Sequence, residues 1–159
     1  MKHPRVALIG CGLIGQKRLN HLPPGCVTVA CDLNLDRARK LAAASPGCEA
    51  TDSVEKAVQS SQVDAVMIAT MNATLAPIAC QAVRAGKHVL VEKPLALNEP
   101  ELAAIEAFFA GSTSPPILMT GFNRRHSRYA TCLRDRVASR AGPLMITYRM
   151  NAGYIPSDH

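Results

Sequence analysis

Four apolar residues, Val6-Ala7-Leu8-Ile9, run directly into three glycines spaced Gly10-x-Gly12-x-x-Gly15. This junction constrains the chain more than any other segment. An apolar run of this length, closed by glycine, reads as a buried strand. Leu13 to His21 then has helical character, and Pro23-Pro24-Gly25 ends it. Strand and helix are therefore joined by a loop with little room for side chains. Gly10 permits the tight turn, Gly12 lets a ligand come close to the backbone, and Gly15 lets the helix pack on the strand. At the helix start, the unpaired amides around Leu13 and Ile14 and the positive end of the helix dipole suit an anionic group.

The alternation continues. Cys26 to Cys31, Ala65 to Ala69, His88 to Val91 and Ile117 to Thr120 read as strands. Between them Asn34 caps a helix whose apolar face is Ala38, Leu41 and Ala42. Asp52 and Glu55 have the spacing of a capping box ahead of Val54, Ala57 and Val58. Asn72 caps a helix bearing Ala76, Ala79, Cys80 and Val83, and Gly86 supplies its left-handed end. Asn98 caps another, with Leu102, Ile105 and Phe109 facing inward. Strands alternating with single helices predict an α/β fold, a doubly wound and mostly parallel Rossmann sheet with right-handed crossovers. Aromatic residues are only 4% of the chain, so Val, Ile, Leu and Ala must build its core.

Asp32 ends the second strand, 22 residues after Gly10. A carboxylate there accepts hydrogen bonds from the adenosine ribose of a dinucleotide and repels a 2′-phosphate, which favours NAD over NADP. Arg37 and Arg39 follow on what reads as a solvated helix face. Gly10, Gly12, Leu13, Ile14, Gly15 and Asp32 are thus candidate NAD contacts, with Thr70 and Asn72 added from the loop after the strand Ala65 to Ala69.

Ala85-Gly86-Lys87-His88-Val89-Leu90-Val91-Glu92-Lys93-Pro94 closely resembles the AGKHVxxEKP signature of the Gfo/Idh/MocA oxidoreductases, and Gly121-Phe122-Asn123-Arg124-Arg125 resembles their GFNRR segment. The resemblance implies an NAD(P)-dependent dehydrogenase or reductase acting by hydride transfer on a sugar, cyclitol or related hydroxy compound. It makes Lys93 the catalytic residue that reaches the reacting oxygen. It sets Glu92 near the nicotinamide ribose, and Lys93 and Pro94 across a peptide that is commonly cis in the family. Leu75 stands where many members carry His. Asn151-Ala152-Gly153-Tyr154-Ile155-Pro156 resembles members linked to cell-surface sugar pathways. The family's remaining catalytic Asp and His belong to a second domain, and neither Asp158 nor His159 matches their motif.

Residues 1–122 therefore read as the NAD(P)-binding domain. Residues 123–159 read as a connecting helix, Arg124 to Arg140, and the first strand, Leu144 to Tyr148, of a truncated second α/β domain. The chain carries a formal net charge of +6, of which residues 124–159 hold seven basic and two acidic side chains. That basic helix raises a second class of function, an NAD-sensing regulator touching nucleic acid, but it lacks interleaved aromatics and a helix-turn-helix pattern. A third class is an assembly module without catalysis. The expected partners are a small-molecule substrate, no nucleic acid and no membrane, with a homo-oligomer for the full-length protein. Five scattered histidines and six cysteines without a CxxC pair predict no metal site. Free thiols and the absence of a signal-like start suggest the cytoplasm.

Overall fold

The computed structural model describes residues 3–149 and 151. The chain divides into two compact units, Met1–Phe122 and Asn123–His159. In the first, six strands form one sheet: β1 (Val6–Ile9), β2 (Val27–Cys31), β3 (Glu49–Thr51), β4 (Ala65–Ile68), β5 (His88–Val91) and β6 (Leu118–Thr120). Their order is β3-β2-β1-β4-β5-β6, and every pairing is parallel. The helices are α1 (Leu13–Leu19), α2 (Leu35–Ala43), α3 (Val54–Gln59), α4 (Asn72–Arg84) and α5 (Glu99–Ala110).

Alternation along β1 divides the core. Leu8 points to one face, where it packs with Val27, Ala30 and the α2 residues Ala38 and Leu41. Ala7 and Ile9 point to the other, with Val66, Ile68, Val89 and Val91 and apolar residues of α3, α4 and α5. Successive strand residues face opposite sides, so β1 must be apolar throughout to be buried by helices on both. Right-handed crossovers require this arrangement, because the chain runs outward from β1 to β3, returns to β4 and then continues to β6. The row Leu8, Met67, Leu90 and Met119 shows the consequence. Leu8 is fully buried while Met119 is exposed, because α4 and α5 cover β4 to β6 only on the opposite face.

Local signals placed most helices well, with corrections at several positions. Asn34 caps α2 by accepting from the amides of Asp36 and Arg37. Asn98 caps α5, and Glu101 returns the contact to the Asn98 side chain. The α3 cap is Ser53, one residue after Asp52, with its hydroxyl accepting from Lys56 N–H at 3.2 Å. The α4 cap is Met71 and makes no side-chain bond; Asn72 is the first helical residue, and the Thr74 hydroxyl donates to the Met71 carbonyl instead. Leu102 does not face inward and is 40% exposed; α5 packs through Ile105, Phe108 and Phe109. The strand β3 carries no apolar run, and it forms because β2 offers an edge to pair with.

The second unit holds a 3-10 turn, Asn123–His126, and α6, Arg128–Val137. A continuous helix from Arg124 does not form, because Ser127 is extended and its hydroxyl accepts from Ala130 N–H to start a new helix. Leu144 to Tyr148 does not form the expected strand. The Asn151–Pro156 stretch lies outside the described residues apart from Asn151.

Because Leu8 is fully buried at the centre of one core face, Leu8→Ala is expected to cost about 2–5 kcal/mol. Urea unfolding followed by circular dichroism measures it, with a lower midpoint at unchanged slope.

Candidate functional site at the carboxyl end of the sheet

Beyond the carboxyl ends of the strands the chain doubles back between β1 and β4, where successive crossovers leave toward opposite sides. A crevice must open at such a point. Here it is a cleft of about 530 Å³. Of the residues selected from sequence, Gly10, Gly12, Leu13, Ile14, Asp32 and Thr70 line it. Gly15 lies buried beneath it, and Asn72 is exposed at the start of α4, outside the lining. Glu92, Lys93 and Pro94 occupy the turn after β5, also outside the lining.

The three glycines differ in what excludes a side chain. At Gly10 φ is +94°, and a Cβ would sit 2.5 Å from the Ala69 carbonyl oxygen. At Gly15 a Cβ would sit 2.0 Å from the Gly10 carbonyl oxygen. Backbone crowding alone therefore demands glycine at both positions. Gly12 is different, since its φ of −72° suits any residue and no protein atom lies within 4 Å of an added Cβ. Space beside Gly12 is left open toward the cleft.

Gly12 also caps α1 without a side-chain hydrogen bond, and the first turn holds no acidic residue. Among the described residues the amides of Gly12, Leu13 and Ile14 have no acceptor. The Cys11 amide is not available with them, because it donates to Asp32 Oδ2 at 2.8 Å. The other Asp32 oxygen accepts from Asn34 N–H at 2.9 Å. The carboxylate is thus held at the edge of the cleft by the glycine loop on one side and the α2 entry on the other. Arg37 is exposed and Arg39 pairs with Asp36 at the surface, as a solvated face requires.

Several lining residues escaped the sequence reading. Leu33 and Met71, both strongly exposed, follow β2 and β4, while Val54, Pro77 and Ile78 complete an apolar wall and Gln81 adds a polar amide beside it. Leu33 stands two residues after β2 and Met71 three after β4, and that nearness to a strand's carboxyl end was the available signal. Leu75 is fully buried under α4 and presents nothing to the cleft. At the turn after β5, Glu92 is half-buried and ion-paired with Arg18 of α1. Lys93 is exposed, and the Lys93–Pro94 peptide is cis. His88 opens β5 and its Nδ1 accepts from Ile117 N–H. Among the described residues no group of three or more His, Cys, Asp or Glu is clustered for a metal.

The family described as an oxidoreductase family with an NAD-binding Rossmann fold matches residues 4–111. The chain belongs to the Gfo/Idh/MocA oxidoreductases. Inositol 2-dehydrogenase 2 of Paenarthrobacter aurescens is 34% identical over 149 residues, covering 89% of this chain and 45% of the relative. Among solved structures, a myo-inositol dehydrogenase from Lactobacillus casei in complex with NAD(H) and myo-inositol superposes with a TM-score of 0.78 at 18% identity, covering 87% of this chain and 42% of that one. A 3-ketoreductase from Actinomadura kijaniata in complex with TDP-benzene and NADP has a TM-score of 0.75 at 27% identity, covering 86% and 44%. This Gfo/Idh/MocA chain spans under half the length of these relatives. Among its described residues no helix is long and apolar enough to cross a membrane.

Cys11 lies in the glycine loop, but burial pushes its thiol up to about 12, and burial pushes Cys31 up to about 11. A nucleophilic thiolate needs the reverse. At pH 8, iodoacetamide is expected to label exposed Cys132 and spare Cys11 and Cys31 in native protein, read by peptide mass spectrometry. Above pH 9 an unfolded chain releases thiol protons that the native state retains, so stability falls toward pH 11. The glycines supply a second expectation: Gly15→Ala lowers the melting temperature by several degrees, whereas Gly12→Ala leaves it nearly unchanged.

Proposed function

We propose that this chain is the NAD-binding half of a dehydrogenase that oxidises a secondary alcohol of a cyclitol or sugar. The observation that carries the reading is the open space at Gly12, which the protein itself does not require, beside free helix-start amides. A diphosphate fits that place: it accepts from the Gly12, Leu13 and Ile14 amides and lies at the positive end of α1. Asp32 accepts from the adenosine ribose hydroxyls with the lone pairs that Cys11 and Asn34 leave free. Its charge disfavours a 2′-phosphate, so NAD is preferred to NADP. The apolar wall around Leu33 and Met71 suits the adenine. Thr70 borders the path between the two nucleotide halves, and Asn72 stands at its rim.

When bound, the nicotinamide supplies hydride acceptance. The chain's own part at that end falls to the turn after β5. Glu92 stands by the nicotinamide ribose, Pro94 shapes the turn, and Lys93 acts as the catalytic residue, polarising the substrate oxygen or passing on its proton. The exposure of Lys93 leaves its ammonium available for this. The cyclitol class rests on relatives that are inositol 2-dehydrogenases. Those relatives are about twice as long, and the reading assigns the other substrate contacts and the homo-oligomeric interface to their further half. Residues 1–159 alone then bind NAD without turnover. The unpaired cysteines fit a reducing cytoplasm.

Calorimetric titration of the chain with NADH is expected to give saturable one-to-one binding, and no binding at millimolar cofactor overturns the reading. Asp32→Ala is expected to weaken NADH about 10-fold or more, the size of a lost charge-assisted pair of hydrogen bonds, and to narrow the preference over NADPH.

A further inference from the structure

One close ion pair at this end of the sheet joins α1 to the turn after β5. Arg18 lies in the last turn of α1. Its Nε donates to Glu92 Oε1 at 2.7 Å, and its Nη2 donates to the same oxygen. The two side chains are 26% and 18% exposed, so solvent screens them only in part. The other Glu92 oxygen is confined by the chain after β6, since a Cβ on Gly121 would lie 3.1 Å from Oε2. Backbone bonds fix the surroundings: Glu92 N–H donates to the Ile68 carbonyl, and Gly121 N–H to the Val91 carbonyl. Lys93 is the adjacent residue, yet among the described residues it makes no ion pair or hydrogen bond. The Glu92 charge is therefore paired with the helix that carries the glycine loop, and its neighbour Lys93 is left free.

We propose that Arg18 is a positioning residue that neutralises Glu92 beside the nicotinamide end of the dinucleotide and thereby sets the chain's relative affinity for the oxidised and reduced cofactor. This rests on the NAD reading above. With adenosine held at Asp32 after β2 and the diphosphate at α1, the second nucleotide continues across the switch point toward the ends of β4 and β5. Glu92 is the first residue after β5. The oxidised nicotinamide ring is cationic and the reduced ring is neutral, so only the oxidised form responds to net charge there. A bare carboxylate tightens the oxidised form, a bare guanidinium weakens it, and the pair leaves the balance near neutral. A purely architectural role of the pair would change both affinities by the same factor.

The test is the ratio Kd(NAD⁺)/Kd(NADH), measured by calorimetry on the full chain. Arg18→Gln is expected to lower it about two- to fivefold, an order of magnitude suited to one unit charge across a partly hydrated cleft. Glu92→Gln is expected to raise it by a similar factor. Arg18→Lys keeps the charge and restores most of the original ratio, and the double variant Arg18→Gln with Glu92→Gln returns close to it. If both single variants bind the two forms with an unchanged ratio, or lose both equally, the inference is overturned. If the unsubstituted chain binds neither form at millimolar concentration, the NAD reading fails instead, which is a distinguishable result.

Discussion

Three stretches of backbone meet at closer range than side chains permit, and the site depends on that meeting. The Gly10 carbonyl lies where a Gly15 Cβ would be, and the Ala69 carbonyl lies where a Gly10 Cβ would be. The first contact seats α1 against the end of β1. The second brings the end of β4 against the same loop. Together they bring the α1 amides over the point where strand order reverses. Asp32 then braces the loop from the next strand by accepting from the Cys11 amide. Without these approaches the helix start would stand off the sheet and its amides would face bulk water.

Gly12 has the opposite reason for being glycine. The other two are required by protein backbone, whereas Gly12 borders open space. A GxGxxG pattern read as text cannot separate these roles, since it shows three identical residues. The separation is geometrical, and it is what turns the motif into an argument for a ligand. Membership of the Gfo/Idh/MocA family gives that ligand its chemistry, while the span of under half of the relatives' length keeps substrate and turnover at the level of a proposal.

Charge at the carboxyl end is organised in pairs. Asp32 is fastened to backbone amides, Arg39 to Asp36, and Glu92 to Arg18. Lys93 is the exposed cation left unpaired beside Glu92 among the described residues. The Arg18–Glu92 contact joins residues 74 positions apart. It links the glycine loop's helix to the turn that carries Lys93.

Local patterns carried much of this structure. The β1 run, the glycine spacing, the Asn34 and Asn98 caps and the left-handed Gly86 depend on interactions within a few residues, so a linear reading finds them. Strand alternation with single helices was enough for a doubly wound parallel sheet, because crossover handedness leaves few alternatives. Other features were set only by residues far apart in the chain. The strand β3 exists because β2 has an open edge. The break at Ser127 and the shifted cap at Ser53 are by contrast local, each hydroxyl accepting from the amide three residues on. The apolar wall formed by Leu33 and Met71, and the Arg18 partner of Glu92 on a different part of the sheet end, depend on separate strand ends being brought together by the fold.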